Sequence, residues 1–347
     1  MFLKRLSLQN FRSYSQTQFD FHKGTTLIIG PNTAGKTNLI ESIFFLSTGK
    51  SFRADKDIEV IGFEKEIARI TGLIERNADE TKLEIVLPRN AFKRYLVNGI
   101  ARRRVDFAGN LASVLFSPQS VDLIIGSPSV RRTFLDTILE QINRDYRIAL
   151  TNYTKALRQR NALLERAQEE GKRDEEDFIY WDNLLIENGQ FITAKRDELI
   201  GFFNEEKKDI FQCTLIYDKS TISKERLLQY KDAELGSGVT LVGPHRDDLA
   251  IYMQDREKQV RDVKLFGSRG QQRLVVLQLK LLELTRIEQQ FQEPPILLLD
   301  DVFSELDEGH IQHTLNLIGR QQTILTTTHK EFVAKDMLKD MTVIELT

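Results

Sequence analysis

The apolar positions change period along the chain. Near the start Phe2, Leu3, Leu6 and Leu8 interleave with polar residues, which predicts a first strand over 2–8. Residues 19–21 and 25–29 read as two further strands. The second is a short apolar run of the kind buried on both faces. A glycine-rich turn follows, and then Leu39, Ile40, Ile43, Phe44 and Leu46 recur at helical spacing. The order is strand, glycine loop, helix. Between 57 and 100 the alternation returns in ARITGLIE, KLEIVLP and RYLVNG, with Asn98-Gly99 as a turn signal. From Thr133 the period shifts again. Leu135, Leu139, Ile142, Tyr146, Ala149, Tyr153 and Ala156 alternate spacings of four and three, the seam of a long helix. A polar break at 171–177 separates it from a second helical stretch over about 178–211, so the pair reads as an antiparallel arm or a plain helical subdomain. Strands resume near 214–217 and 240–242. A helix, the buried strand PILLLDD, a further helix and the strand QTILTTTH complete the chain. An α/β pattern at both ends thus encloses a mostly helical insertion. The expected domains are 1–128 with 236–347, and 129–235 between them.

Composition narrows this little. The chain has 347 residues, 41% hydrophobic and 29% charged, as in ordinary globular proteins. A single cysteine, Cys213, allows no internal disulfide and reads as a core thiol. No apolar run approaches the ~20 residues that span a bilayer. The charged start lacks the apolar stretch of a signal peptide, so a cytoplasmic protein is expected. With 49 basic and 51 acidic residues the net charge is −2, so any phosphate backbone must meet a local patch. Arg102, Arg103 and Arg104, and Arg131 and Arg132, are the candidates for DNA contact. The alternative for each run is a solvated face.

The glycine loop carries the first chemistry. Gly30, Pro31, Asn32, Thr33, Ala34, Gly35, Lys36 and Thr37 match G-x-x-x-x-G-K-[ST] in the required strand–helix setting. Successive backbone N–H groups form an anion nest there, and the helix adds its positive end. Lys36 is expected on the β- and γ-phosphates of ATP, and Thr37 on Mg²⁺. At the end of PILLLDD, Asp300 is the expected magnesium carboxylate, and Asp301 the group that positions or deprotonates water. The helix opening at S-x-G-Q, with Ser268, Gly270 and Gln271, offers a second anion site.

This last segment resembles the signature of ATP-binding cassette proteins. The resemblance implies that the signature of one subunit caps the γ-phosphate held by another, so that ATP closes a homodimer. It also assigns SELD at 304–307 to the D-loop, Gln119 to magnesium and water, and His329 to a switch near the γ-phosphate. The split head resembles the structural-maintenance-of-chromosomes group. More specifically, LSLQNFRSY, GKSFR, YLVNG, LFSPQSVDLIIGSPSVRRTFLD, LVGPHRDDL, GSRGQQR and LLLDDVFSELD resemble the RecF family of bacterial recombination mediators, in order and over nearly the whole chain. Members often carry an acidic residue where Gln119 stands, and a small polar residue near His329. The expected fold is an ABC-type P-loop ATPase head with a helical second lobe. The implied function is ATP-dependent binding of gapped or junction DNA, working with RecO and RecR to load RecA, in replication, repair and the SOS response. Arg12 in NFRSY becomes a nucleotide candidate by comparison with related DNA-handling ATPases. His245 and Arg246 in VGPHRDDL could face nucleotide, DNA or a partner, while Asp247 and Asp248 could pair with Arg246 or cap a turn. The competing readings are a cassette ATPase of a membrane transporter, a small-molecule kinase and a nucleotide-binding scaffold without turnover.

Overall fold

The computed structural model describes residues 1–76, 79–254, 258–302, 320–328 and 341–346. Its strands, in chain order, are β1 (Phe2–Phe11), β2 (Tyr14–Asp20), β3 (Thr25–Ile29), β4 (Ile67–Arg76), β5 (Asp79–Pro88), β6 (Arg94–Val97) and β7 (Ile100–Arg102). They continue as β8 (Ser113–Phe116), β9 (Cys213–Asp218), β10 (Asp248–Gln254), β11 (Val260–Asp262), β12 (Ile296–Asp300), β13 (Thr323–Thr327) and β14 (Met341–Glu345). The chain divides into two units, one of residues 1–120 and 279–347, the other of residues 121–278.

The first unit holds two sheets. Strands β2-β1-β4-β5-β6-β7 form an antiparallel sheet, and β14-β3-β13-β12-β8 a wholly parallel one. The alternating segments went to the first, with one solvated face, and the continuous runs TTLII and ILLLD to the second. Helix Lys36–Thr48 packs against strands of both sheets. Leu39, Ile40, Ile43, Phe44, Phe45 and Leu46 are all buried, as expected of a helix apolar on every side. They join Leu6, Leu8, Ile70, Ile85, Leu298 and Ile324 in one core. Gln322, just before β13, bonds both the N–H and the C=O of Leu3 at 2.7 and 2.9 Å, stapling the two sheets.

The second unit is built on helices Pro128–Ile142, Arg144–Glu170 and Glu175–Glu205, with the antiparallel sheet β11-β10-β9. The single long helix expected from Thr133 is two helices. Asn143 adopts extended backbone, and its side chain caps the second helix by accepting from the Tyr146 N–H at 2.9 Å. Residues 240–242 are not a strand. The strands near them are β10 and β11, which pair with β9 and so draw residues up to 278 into this unit. The unit is therefore longer than the insertion read as 129–235, and the S-x-G-Q segment packs with it. Its boundary at 278 falls inside helix Arg269–Phe291.

Candidate functional site

In the first unit, β3 delivers the chain into the glycine loop at the carboxyl end of the parallel sheet, where ligands of such sheets bind. The two glycines have different reasons. Gly35 has φ +95°, and a Cβ there would lie 2.9 Å from the Tyr14 hydroxyl. Gly30 is excluded from bearing a Cβ by crowding, since it would meet the Leu346 carbonyl oxygen at 2.7 Å. Thr33 also takes positive φ, +75°, so the loop between them is tightly wound. Pro31, Asn32 and Thr33 are exposed, and Ala34 donates its N–H to the Pro31 carbonyl.

Lys36 is buried and donates to the carbonyls of Gly30 and Pro31 at 2.7 and 2.9 Å, so its ammonium is held across the loop. Burial draws its pKa down, against the pull of Asp301 and Asp300. Thr37 opens the following turn and donates its hydroxyl to Asp300 Oδ1 at 3.2 Å. Asp300 ends β12 and is 4% exposed. Burial pushes its carboxyl above the usual range. Hydrogen bonds from Thr326 and Thr37 oppose that rise, the neighbouring Asp301 adds to it, and Arg53 opposes it. Asp301 has φ +49°, and its N–H donates to Thr326 Oγ1 at 3.0 Å while that hydroxyl donates to Asp300 at 2.8 Å. One threonine of β13 thus holds the Asp300 carboxylate and the Asp301 backbone. Gln119 is exposed on a turn that follows β8, beside β12 in the sheet. His329 and the SELD segment lie outside the described residues.

Arg12 does reach this end of the unit, but its guanidinium is engaged. It clasps the fully buried Glu41 at 2.6 and 2.9 Å and donates to the Glu59 carbonyl. Glu41 also accepts from Ser51 at 2.5 Å and faces Arg53 at 3.8 Å. Three side chains here were missed in the sequence. Tyr14 donates to the Gly35 carbonyl at 3.1 Å, and burial pushes its hydroxyl up to about 12. Glu41 was signalled by being the one acid on an otherwise apolar helix face. Arg53 stood in GKSFR, a segment noted only as a resemblance, and it bonds Asn38 at 3.2 Å.

In the second unit, Ser268 and Gln271 form a reciprocal capping box. The Ser268 N–H donates to Gln271 Oε1 at 2.9 Å, and the Gln271 N–H donates to Ser268 Oγ at 3.3 Å. Ser268, Arg269 and Gly270 are exposed, so the helix presents its N-terminal end to solvent. The motif VGPHRDDL is a structural keystone. His245 Nδ1 meets the Tyr153 hydroxyl at 2.6 Å and Nε2 meets the Thr240 carbonyl at 3.1 Å. Asp247 pairs with Arg196 at 3.0 Å and not with Arg246, which donates to the Thr240 carbonyl.

The basic runs separate. Arg131 is 5% exposed and grips Asp248 with two bonds of 2.7 and 3.0 Å, and Arg132 donates to the Asp247 carbonyl, so neither forms an open phosphate patch. Arg104 turns inward to the Thr48 carbonyl at 3.2 Å. Arg102 and Arg103 remain on the surface, Arg103 beside Asp106.

The family model described as RecF/RecN/SMC N-terminal domain matches residues 2–346. The DNA replication and repair protein RecF of Bacillus cereus (strain G9842) is 36% identical, over 100% of this chain and 97% of that protein. That of an Exiguobacterium species is 37% identical with the same coverage. A solved structure of the recombination mediator protein RecF-ATP in the RecFOR pathway aligns with a TM-score of 0.87 at 32% identity, covering 96% of this chain and 93% of that one. The Smc head domain of Pyrococcus furiosus, at 18% identity and a TM-score of 0.54, shares the fold. By family model, sequence and three-dimensional likeness alike, the chain belongs to the RecF family.

Proposed function

We propose that this protein is an ATP-gated, DNA-binding mediator of recombination and repair. The observation that carries the nucleotide half is the convergence of Lys36, Thr37, Asp300 and Thr326 at the carboxyl ends of β3, β12 and β13. The glycine loop and its helix would bind the phosphates, with Lys36 turning from two backbone carbonyls to phosphate oxygens. The residues suit a magnesium ion. Thr37 and Asp300 bring two oxygens together, and the raised pKa of Asp300 marks a buried carboxylate short of positive charge. Gln119 would complete its protein ligands. Bound magnesium would neutralise phosphate charge. Asp301 would hold and deprotonate the attacking water, and His329 would sense the γ-phosphate. Slow turnover then resets a switch.

ATP would be capped by the exposed Ser268–Gly270–Gln271 helix end of a second copy, making the homodimer the DNA-binding form. Relatives described as RecF proteins of DNA replication and repair, and as a recombination mediator of the RecFOR pathway, support a place in that pathway. To this we add gapped or junction DNA as target, RecO and RecR as partners, and RecA as the indirect beneficiary in a bacterial cytoplasm. The transporter reading draws no support, because the full-length relatives are described as proteins of DNA replication and repair. Titration with a fluorescent ATP analogue tests the nucleotide half. Lys36→Met is expected to lose binding by at least about a hundredfold, as removal of a charged hydrogen-bonding group from phosphate implies. Unchanged affinity would refute it.

A further inference from the structure

Two aromatic rings stand almost bare at one end of the antiparallel sheet. Phe63 is 88% exposed and Phe92 is 96% exposed. Phe63 occupies the turn Gly62–Lys65, closed by a 3.0 Å bond from the Lys65 N–H to the Gly62 carbonyl, with Glu64 at φ +55°. Phe92 lies in the connection from β5 to β6. The two loops are tied to each other. The Arg89 N–H donates to the Glu66 carbonyl at 2.8 Å, and the Arg89 side chain to the Lys65 carbonyl at 2.9 Å. Both tips are therefore fixed beside the point where β4 and β5 pair, Ile67 opposite Pro88. The same loop touches the nucleotide end of the sheet, since the Gly62 N–H donates to Asn10 and the Arg12 N–H to Val60.

From the tips the sheet's outer face runs away as a polar surface. The register places Gln16, Gln9, Arg69, Val86 and Arg94 in one row across five strands. Residues directly opposite one another share a face, so Arg69, paired with Glu84 at 2.7 Å, and Arg94 flank the buried Val86 there. Arg94 is exposed and has no acidic partner among the described residues.

We propose that Phe63 and Phe92 form a stacking platform for the unpaired bases of single-stranded DNA. This rests on the DNA-binding reading above and adds to it where the bases, as distinct from the backbone, are held. An exposed aromatic ring can be covered by any base whatever its sequence. A protein partner is less well matched, because aromatic anchors of protein interfaces sit within an apolar, water-excluding collar. Here the neighbours along the chain are Glu64, Lys65, Glu66, Arg89, Lys93 and Arg94, charged and with basic residues in excess. Basic residues beside exposed rings suit a single strand, whose backbone follows the positive charge while its bases stack.

Fluorescence anisotropy with ATP present, on labelled single strand, gapped duplex and blunt duplex, tests this. The variant with Phe63→Ala and Phe92→Ala is expected to lose about tenfold in affinity for the single strand and the gap. Duplex affinity and the salt slope should stay as in the wild type. Replacing both rings by Tyr is expected to retain binding, and replacing both by Leu to lose it as Ala does. Both positions are exposed, so the melting temperature should not move. Full single-strand affinity in the Ala or the Leu pair would overturn the platform. Unchanged DNA affinity with loss of association with RecR would reassign the rings to a protein contact and overturn it too. Wild-type protein that binds none of the three DNAs would refute the DNA-binding reading, and this proposal with it.

Discussion

Asp300 shows how one residue's surroundings set its chemistry. A carboxylate 4% exposed is unstable without compensation; the Thr326 and Thr37 hydroxyls and Arg53 oppose its desolvation, and Lys36 attracts it, yet its pKa stays raised. Only the ionised form can ligate a hard cation. At limiting magnesium, turnover should therefore fall as pH drops, because proton and cation compete for Asp300, whereas saturating magnesium holds the carboxylate ionised. Thr326→Val removes a bond that lowers the pKa of Asp300, so the fall should begin at higher pH, seen in a pH–rate profile. An unshifted profile would count against Asp300 as the ligand. The same variant should cost about 1–2 kcal/mol of stability, because it leaves a buried N–H and carboxylate short of partners. Arg131 shows the converse. It lies in a basic run, yet its guanidinium holds Asp248 inside the fold. Arg131→Ala should destabilise by on the order of 2 kcal/mol, less than a fully buried pair because Asp248 is about one third exposed. It should leave DNA affinity per folded molecule unchanged, as urea melts and anisotropy would show together. A DNA defect without a stability defect would restore it as a contact residue.

At the scale of elements, polar residues on helical seams decide how the second unit is assembled. Arg160 interrupts the apolar seam and is fully buried, bonded to Asp182, Glu234 and Thr240 at 2.6, 2.7 and 2.9 Å. It ties the two long helices to the segment that follows them. Asn143 divides what its apolar spacing presents as one helix. Asn143→Ala should lower stability by about 1 kcal/mol, the usual worth of an N-cap, measurable by chemical denaturation. His245 bridges helix Arg144–Glu170 to the Thr240 loop as a neutral ring, and burial draws its pKa down to about 4 from 6.5. The unfolded chain takes up this proton near 6.5, the folded chain only near 4. Stability is thus full above 6.5 and is lost as pH falls to about 4, by at most about 3 kcal/mol. His245→Gln should flatten the stability profile between pH 7 and 5. A profile as steep as the wild type would place the acid sensitivity elsewhere.

At the scale of the whole molecule, the sequence was most legible where one residue type has few alternatives. The glycine loop, the buried strand ending in Asp300, and the capped helix at Ser268 could each be placed from pattern alone. Contacts between distant segments were not legible. Nothing in a linear reading says that Asp248 will claim Arg131, that Glu41 will claim Arg12, or that Tyr14 will brace Gly35. The reach of the second compact unit was not legible for the same reason, because β10 and β11 join it through pairing with β9, a long-range event. The signature segment consequently packs with the unit that does not carry the glycine loop, and its helix end is open to solvent. On the proposed reading the nucleotide is the joint between two copies of the chain. Sedimentation velocity with and without ATP tests this most directly, using the wild type and Ser268→Arg. The wild type should become a dimer with ATP, and Ser268→Arg should bind ATP with wild-type affinity yet remain a monomer. A Ser268→Arg protein that dimerises normally, or a wild type that stays monomeric while saturated with ATP, would contradict it.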